Sequence, residues 1–252
     1  MKTIAYCALL YGSDYLAYAI RSVIDHVDEL WVLYSAQGSH GHSTTLQCPD
    51  HAKDLYDIAQ QAAGDKLRWY TASPGQWRHE GEQREYIHKL VPDADVILVL
   101  DADEVWSDGL AKEVVDQYAR EANWNGAFRT LRLPIIHYWR SFYRCILHDP
   151  AYPTRVIFPK VEGGEATMQT PFRIHHFGYA QRSEIVHYKL TTHGHKNELR
   201  PDWYETRFLP NTQQDCHPVG SEYWNPETID PYALGLPVWM KDHPFAELEV
   251  IP

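Results

Sequence analysis

The sequence predicts an α/β protein with a mostly parallel central sheet, helices on both of its faces and an irregular C-terminal extension. Two observations carry this prediction. Apolar runs alternate with amphipathic stretches up to residue 121, and the fourth run, at 96–100, is apolar at every position. A continuous apolar strand is typical of a parallel sheet, whose two faces are both covered. Strands that alternate with helices form βαβ units, which require parallel strands.

The predicted elements follow in chain order. Residues 3–10 and 29–34 form the first two strands, and residues 13–27 have the apolar spacing of an amphipathic helix. The remaining predicted elements are helix 50–63, strand 66–71, helix 80–91, strand 95–100, helix 109–121 and strands 127–133 and 155–159. From residue 197 onward the periodicity fades. The many tryptophans and tyrosines there predict an irregular segment that wraps the core, because it is too apolar to be disordered.

An acidic cluster follows the fourth strand. The run at 96–100 leads directly into Asp101, Ala102, Asp103 and Glu104. Ligands of open α/β sheets bind at the carboxyl ends of the strands. Crowded carboxylates repel one another unless a positive group lies among them, and Mg²⁺ or Mn²⁺ suits this role and bridges carboxylates to a diphosphate. An acidic turn that caps the next helix is the alternative, although a cap needs one carboxylate rather than three.

Composition narrows the class of protein. The chain has 252 residues, 44% of them hydrophobic, enough for one large domain or a domain with a tail. The net charge of -11 argues against broad binding to nucleic acid or anionic membranes. The four cysteines form no C-x-x-C pair, which favours a reducing compartment. No apolar stretch approaches the ~20 residues of a membrane span, and polar residues interrupt the N-terminal apolar run. We therefore predict a cytoplasmic protein.

The order of these features resembles the GT-A glycosyltransferases and, within them, glycosyltransferase family 2. The motifs that carry the resemblance are IAYCALLYGSDYLAYAIRSVIDHVDELWVL, EGEQREYI and VILVLDADE. The resemblance implies a GT-A, or Rossmann-like, catalytic domain over 1–196, with a nucleotide-sugar part up to 106 and an acceptor part over 107–196, followed by an extension over 197–252. It also implies metal-dependent, inverting transfer of a sugar from a nucleoside diphosphate, expected to be UDP, to an acceptor hydroxyl.

The resemblance further implies roles for single residues. Asp101 contacts the ribose or the metal-bound diphosphate, or is itself a metal ligand, and Asp103 binds the Mn²⁺ or Mg²⁺ directly. His176, in RIHHFGYA, completes the metal shell, with a structural histidine as the alternative. Arg84 faces the nucleotide, and pairing with a neighbouring glutamate explains it equally well. The other expected nucleotide contacts are Leu10, Tyr11 and Lys189.

The loop after the second strand departs from the family pattern. The expected nucleoside-binding aspartate is missing, and Tyr34 and Ser35 stand in its place. Stacking of the base on Tyr34, or contacts from Ser39 and His40, would substitute for it.

Two histidines in KLTTHGHKNE have two interpretations. His193 and His195 either bind the diphosphate beside Lys189 or close a surface helix.

An inverting transfer needs a general base that takes the proton of the acceptor hydroxyl. The resemblance implies an Asp or Glu between the acidic cluster and the late histidine, and Glu165 is the first candidate for it, with Glu162 and Asp149 as the others.

The segment 129–145 interleaves arginines with aromatic residues. It forms either a wall for the acceptor, because rings stack on sugars and bases, or an element whose rings pack inward. A carbohydrate or another hydroxyl compound is the expected acceptor. A hydroxylated base in DNA is the alternative, suggested by this segment and opposed by the net charge. Two other hypotheses are a phosphohydrolase or nucleotidyltransferase that uses the same acidic strand end, and an inactive module that only binds nucleotide sugars.

Overall fold

The computed structural model describes residues 1–38, 42, 44–121, 126, 128–147, 152–219 and 224–252. Its strands are β1 (Thr3–Leu9), β2 (Glu29–Tyr34), β3 (Leu67–Thr71), β4 (Val96–Val99), β5 (Glu104–Trp106), β6 (Phe128–Arg132), β7 (Ile135–Trp139), β8 (Arg144–Ile146), β9 (Thr154–Ile157), β10 (Gly164–Thr167), β11 (Ile174–Tyr179) and β12 (Glu227–Thr228). Its α-helices are α1 (Leu16–Arg21), α2 (Ala52–Ala63), α3 (Glu80–Glu85), α4 (Ile87–Leu90), α5 (Leu110–Glu113) and α6 (Ser183–Thr192).

Shorter helical segments complete these elements. A π-helical turn, Val114–Tyr118, directly continues α5, and a second one spans Tyr204–Phe208. The 3₁₀ turns are Ile24–His26, Gly64–Lys66, Lys196–Glu198, Pro231–Leu234 and Val238–Asp242. In the described part of the chain, every helix is too short or too polar to span a lipid bilayer.

A seven-stranded sheet is the centre of the fold, with the strand order β10-β6-β9-β4-β1-β2-β3. Its neighbours pair in parallel except where β9 lies antiparallel to β4 and β6. Alternate residues of β1 enter different cores, since Cys7 packs in the same cluster as Leu55 of α2 whereas Tyr6 packs with Ile87 of α4. The predicted mostly parallel sheet with helices on both faces is therefore confirmed.

A second sheet has the order β12-β8-β7-β11-β5. This second sheet was not predicted from the sequence, because its strands are short or contain both aromatic residues and histidines. Its edge strand β5 begins within the acidic cluster, at Glu104. Antiparallel pairing of β11 with β5 places His176 opposite Glu104, and parallel pairing with β7 places the same residue opposite His137. This sheet therefore carries the late histidine to the end of β4.

Three of the four aromatic residues of segment 129–145 do not form an acceptor wall. Tyr138, Trp139 and Phe142 are fully buried, as the inward-packing alternative required. They belong to two cores that the second sheet shares with residues beyond 197, including Trp203 and Met240. Three of the rings that suggested an acceptor, and with it a DNA base, are thus occupied by packing, whereas Tyr143 is half-buried.

Arg140 joins this sheet to the C-terminal extension. It is 6% exposed and has a left-handed φ of 52°. Its guanidinium donates to the carbonyl oxygens of Phe208 (2.8 Å), Leu209 (3.2 Å) and Ile251 (2.7 Å). Three carbonyls from two distant parts of the extension thereby share one cation.

Replacing Arg140 with methionine is expected to lower the free energy of unfolding by about 2–3 kcal/mol, because buried carbonyls lose charge-assisted donors. Urea unfolding measures the change. Arg129→Met, at an exposed position of β6, is the control and should change stability by less than about 0.5 kcal/mol. Equal effects of the two substitutions would contradict this role.

Candidate active site

A cavity of about 190 Å³ opens at the carboxyl ends of β1, β2 and β4. The chain segments that follow these strands contribute residues 10–12, 35, 37, 38 and 101–103 to its wall. Other wall residues come from α3, from β11 and from the end of α6. The cavity therefore lies where ligands of parallel α/β sheets bind.

Seven of the predicted site residues meet in this cavity: Leu10, Tyr11, Arg84, Asp101, Asp103, His176 and Lys189. Tyr34 is not part of its wall and stacks on Trp69, with ring centroids 5.7 Å apart. His193 lines the cavity, whereas His195 is exposed and pairs with Glu198. Ser39, His40 and Asp149 lie outside the described residues.

The two predicted general bases that the structure describes lie away from the cavity. Glu165 is on β10, at the edge of the main sheet, where it pairs with Arg132 at 2.7 Å. Strands lie ~4.8 Å apart, so β10 is about 14 Å from β4 across three strand spacings. Glu162 is exposed in the turn before β10. Neither residue belongs to the described wall of the cavity.

Two arginines hold the first part of the acidic cluster. One oxygen of Asp101 accepts from Arg84 at 2.7 Å, and the other accepts from Arg155 at 2.6 Å. Arg155 also binds both oxygens of Glu104, at 2.7 and 2.5 Å. Sequence reasoning missed Arg155, which reaches the cluster from β9.

Asp103 has a separate set of partners. Its Oδ2 accepts from the Nζ of Lys189 and the Nε2 of Gln181, each at 3.1 Å, and its Oδ1 lies 3.6 Å from the Nε2 of His176. Three carboxylates thus face three permanent cations. The positive charge that the sequence required among the carboxylates is supplied, within the described site, by Arg84, Arg155 and Lys189.

The pKa values of these carboxyls follow from burial and from the cations. Burial by itself raises the pKa of Asp103, but Lys189 and His176 outweigh it and hold this pKa well below its ordinary value. Burial opposes the cations at Asp101 as well, and Arg155 and Arg84 still lower its pKa. At Glu104 burial dominates over Arg155, so the pKa is raised. Asp101 and Asp103 are therefore ionised at neutral pH.

A glycine allows this arrangement. A Cβ on Gly178 would lie 2.5 Å from the Cε1 and Nε2 of His176 and 2.9 Å from the Nζ of Lys189. Real Cβ atoms do not approach so closely, so a side chain here would push His176 or Lys189 away from Asp103.

The Nδ1 atoms of His176 and His137 are 2.7 Å apart, so one ring donates to the other. When a neutral His176 ring is the donor, its Nε2 carries a lone pair that faces Asp103. A metal-binding histidine has this arrangement, with the second ring nitrogen donating to a neighbour.

Asp103 Oδ1 and His176 Nε2 fit a divalent cation as two protein ligands. Mg²⁺ and similar ions are commonly held by one or two protein groups together with substrate phosphates and water. Within the described residues no group of three or more His, Cys, Asp or Glu side chains could hold a metal ion. Both oxygens of Asp101 already accept from arginines, so Asp103, rather than Asp101, is the carboxylate that could hold a divalent cation.

Three buried polar atoms of residues that line the cavity have no hydrogen-bond partner within the described structure: Trp77 Nε1, His193 Nε2 and Gln181 Oε1. His193 Nδ1 accepts from the backbone N–H of His195, which leaves the hydrogen of the neutral ring on Nε2. Burial and nearby Lys189 lower the pKa of His193 to about 4, so this ring is neutral at pH 7. An unpaired buried polar group costs about 1–3 kcal/mol, and such a group needs an explanation.

No family model matches the sequence, and no curated protein matches it. Similar solved structures include S. aureus TarS 1-349 (14% identity, TM-score 0.35) and its complex with UDP (13%, 0.34). A mycobacterial protein is 18% identical, with a TM-score of 0.31. The matches cover 54%, 55% and 56% of this chain but only 36%, 36% and 41% of those chains. This chain therefore spans less than half the length of these solved structures.

Proposed function

We propose that the protein is a glycosyltransferase that moves a sugar from a nucleoside diphosphate, expected to be UDP, to a hydroxyl of an acceptor, expected to be a carbohydrate. The observation that carries the proposal is the meeting of Asp103, His176 and Lys189 at the carboxyl end of β4, beside a cavity with unpaired donors. Such a site binds an anion next to a group that can hold a cation.

The charge balance of the site supports metal dependence. The permanent cations Arg84, Arg155 and Lys189 already face carboxylates. A diphosphate added to this balanced cluster needs further positive charge. Mn²⁺ or Mg²⁺ held by Asp103 and His176 would supply it and act as a Lewis acid toward the departing diphosphate.

Residues of the chain then bind the nucleotide directly. The Nζ of Lys189 is 3.1 Å from Asp103, so it can contact an anion that a metal ion holds beside this carboxylate. Trp77 Nε1 and His193 Nε2 offer neutral donors to phosphate oxygens or a base carbonyl. Arg84, oriented by Asp101, adds a planar donor on the same wall.

An inverting transfer also needs a group that accepts the proton of the acceptor hydroxyl. Among the carboxylates in the described wall of the cavity, Glu80 has the most exposed side chain, at 46%, against 23% for Asp101 and 13% for Asp103. We therefore assign this role to Glu80, in place of Glu165 and Glu162.

A thermal-shift screen tests the proposal with the complete chain. UDP and UDP-sugars are each added with and without Mn²⁺. At about 100 times its Kd a ligand adds about 2.7 kcal/mol of stability, which raises the Tm of a chain of this length by about 5–10 °C. We expect this rise with Mn²⁺ and a smaller one without it.

Uridine, which lacks phosphates, is the control ligand and should leave the Tm unchanged. The proposal fails if no nucleotide or nucleotide sugar shifts the Tm in the presence of Mn²⁺. Release of free phosphate from phosphate esters, without reaction of nucleotide sugars, would instead favour a phosphohydrolase.

A further inference from the structure

Gln181 has an unusual environment for an uncharged side chain. It is 0% exposed, lies between β11 and α6, and lines the cavity. Its Nε2 donates to Asp103 Oδ2 at 3.1 Å and to the carbonyl oxygen of Gly178 at 3.4 Å. It therefore contacts the carboxylate to which we assign the metal ion.

These two partners determine the orientation of the amide. A carboxylate and a carbonyl oxygen only accept hydrogen bonds, so the NH₂ group of Gln181 must face them. The flipped amide would place its oxygen against Asp103. Oε1 is consequently the other end of the group, and it is buried with no partner within the described structure.

The unpaired Oε1 atom limits which chemical groups of a ligand can bind to it. Oε1 is an acceptor, so a phosphate oxygen, which is also an acceptor, cannot pair with it. Its partner must carry an O–H or N–H group. In the proposed function the diphosphate of a nucleotide sugar lies at Asp103. The sugar is attached to this diphosphate at the end away from the nucleoside, and it carries hydroxyls.

We infer that Gln181 recognises the donor sugar, with Oε1 accepting a hydrogen bond from a sugar hydroxyl or acetamido N–H. This inference rests on the proposed function and deepens it. Gln181 is then a specificity residue. Asp103 holds the NH₂ group of its amide in place, and Oε1 pairs only with a sugar that carries a donor group at one position of the ring. A site built around such a bond discriminates strongly against sugars that lack the group.

Calorimetric titration of Gln181→Met tests the inference, with Mn²⁺ present and UDP compared with UDP-glucose, UDP-galactose and UDP-N-acetylglucosamine. Loss of the bond to Asp103 affects all these ligands alike, so the comparison with UDP removes that contribution. For the sugar that the wild type binds best, we expect the ratio of its Kd to that of UDP to rise about tenfold or more.

A second arm uses wild-type protein and deoxy analogues of that UDP-sugar. One analogue should bind about tenfold more weakly to the wild type, and the same analogue should lose little further affinity for Gln181→Met. This arm needs no variant to reveal the lost bond, so it holds even if the variant folds poorly.

An equal loss of UDP and UDP-sugar affinity in Gln181→Met would overturn the inference, since Gln181 would then act only through Asp103. Unchanged binding of every deoxy analogue by the wild type would overturn it too. Failure of the proposed function looks different, because the wild type would bind neither UDP nor any UDP-sugar.

Discussion

Replacing Arg155 with methionine is expected to lower the free energy of unfolding by about 3–5 kcal/mol, the usual result of removing one partner from a buried ion pair. The side chain of Arg155 is 12% exposed and that of Glu104 is 1% exposed. Without Arg155, the buried charge of Glu104 loses its arginine partner, and Asp101 is left with Arg84 as its arginine partner. Urea unfolding measures the loss.

The destabilisation by Arg155→Met should depend on pH. Removing Arg155 raises the pKa of Glu104 further above its value in the unfolded chain. A carboxyl whose pKa is raised by folding loses stability as the pH increases from the unfolded value through the folded one. The variant should therefore lose less stability at pH 5 than at pH 8.

Two further variants separate the buried pair from arginine loss in general. Arg132→Met breaks the exposed pair with Glu165, in which the side chains are 48% and 40% exposed, and should cost at most about 1 kcal/mol. Adding Glu104→Gln to Arg155→Met removes the buried charge and should recover part of the stability. A loss no greater in Arg155→Met than in Arg132→Met would show that the pair does not hold the cluster together.

Replacing Asp103 with asparagine is expected to lower the turnover of nucleotide sugar by about 10²–10³-fold or more, the usual effect of removing one group that stabilises developing charge. Asparagine keeps the shape of Asp103 but loses its charge, and with it the attraction for Lys189 and the proposed metal ion. Release of nucleoside diphosphate in the presence of Mn²⁺ is the measurement.

Asp95→Asn is the matched control, because Asp95 directly precedes β4 at the opposite end of the same strand and pairs with Lys160 at 2.7 Å. This control should keep the wild-type turnover. An Asp103→Asn protein as active as the wild type would refute the assignment of Asp103. A wild type that binds UDP-sugars in the calorimeter but releases no diphosphate over hours would instead be a binding module.

The strand ends that build the cavity were predictable from the sequence. The continuous apolar run of β4 and the periodicity around β1 and β2 are local patterns, and the predicted range of β2, 29–34, agrees with the structure. The position of Asp101 and Asp103 at the ligand edge follows from the same patterns, because parallel strands end at one edge of the sheet.

The partners of these carboxylates were decided only by tertiary structure. Arg155 reaches Glu104 across 51 residues, and Gln181 reaches Asp103 across 78. Neither contact leaves a local signal, because both depend on how β9 and the second sheet pair with distant strands. The burial of Tyr138 and Trp139 could not be predicted from the sequence for a similar reason. A run of aromatic residues has the same sequence pattern whether its rings contact a ligand or pack in a core.

A parallel α/β scaffold and an acidic cluster at the end of its fourth strand follow from local sequence patterns, since hydrophobic periodicity and strand direction are local properties. Tertiary structure decided that arginines and a lysine neutralise this cluster, that His176 faces Asp103, and that Glu165 lies at a distant sheet edge. The physical reason is that charge pairing acts between side chains close in space, and the pairing of distant strands determines which side chains those are.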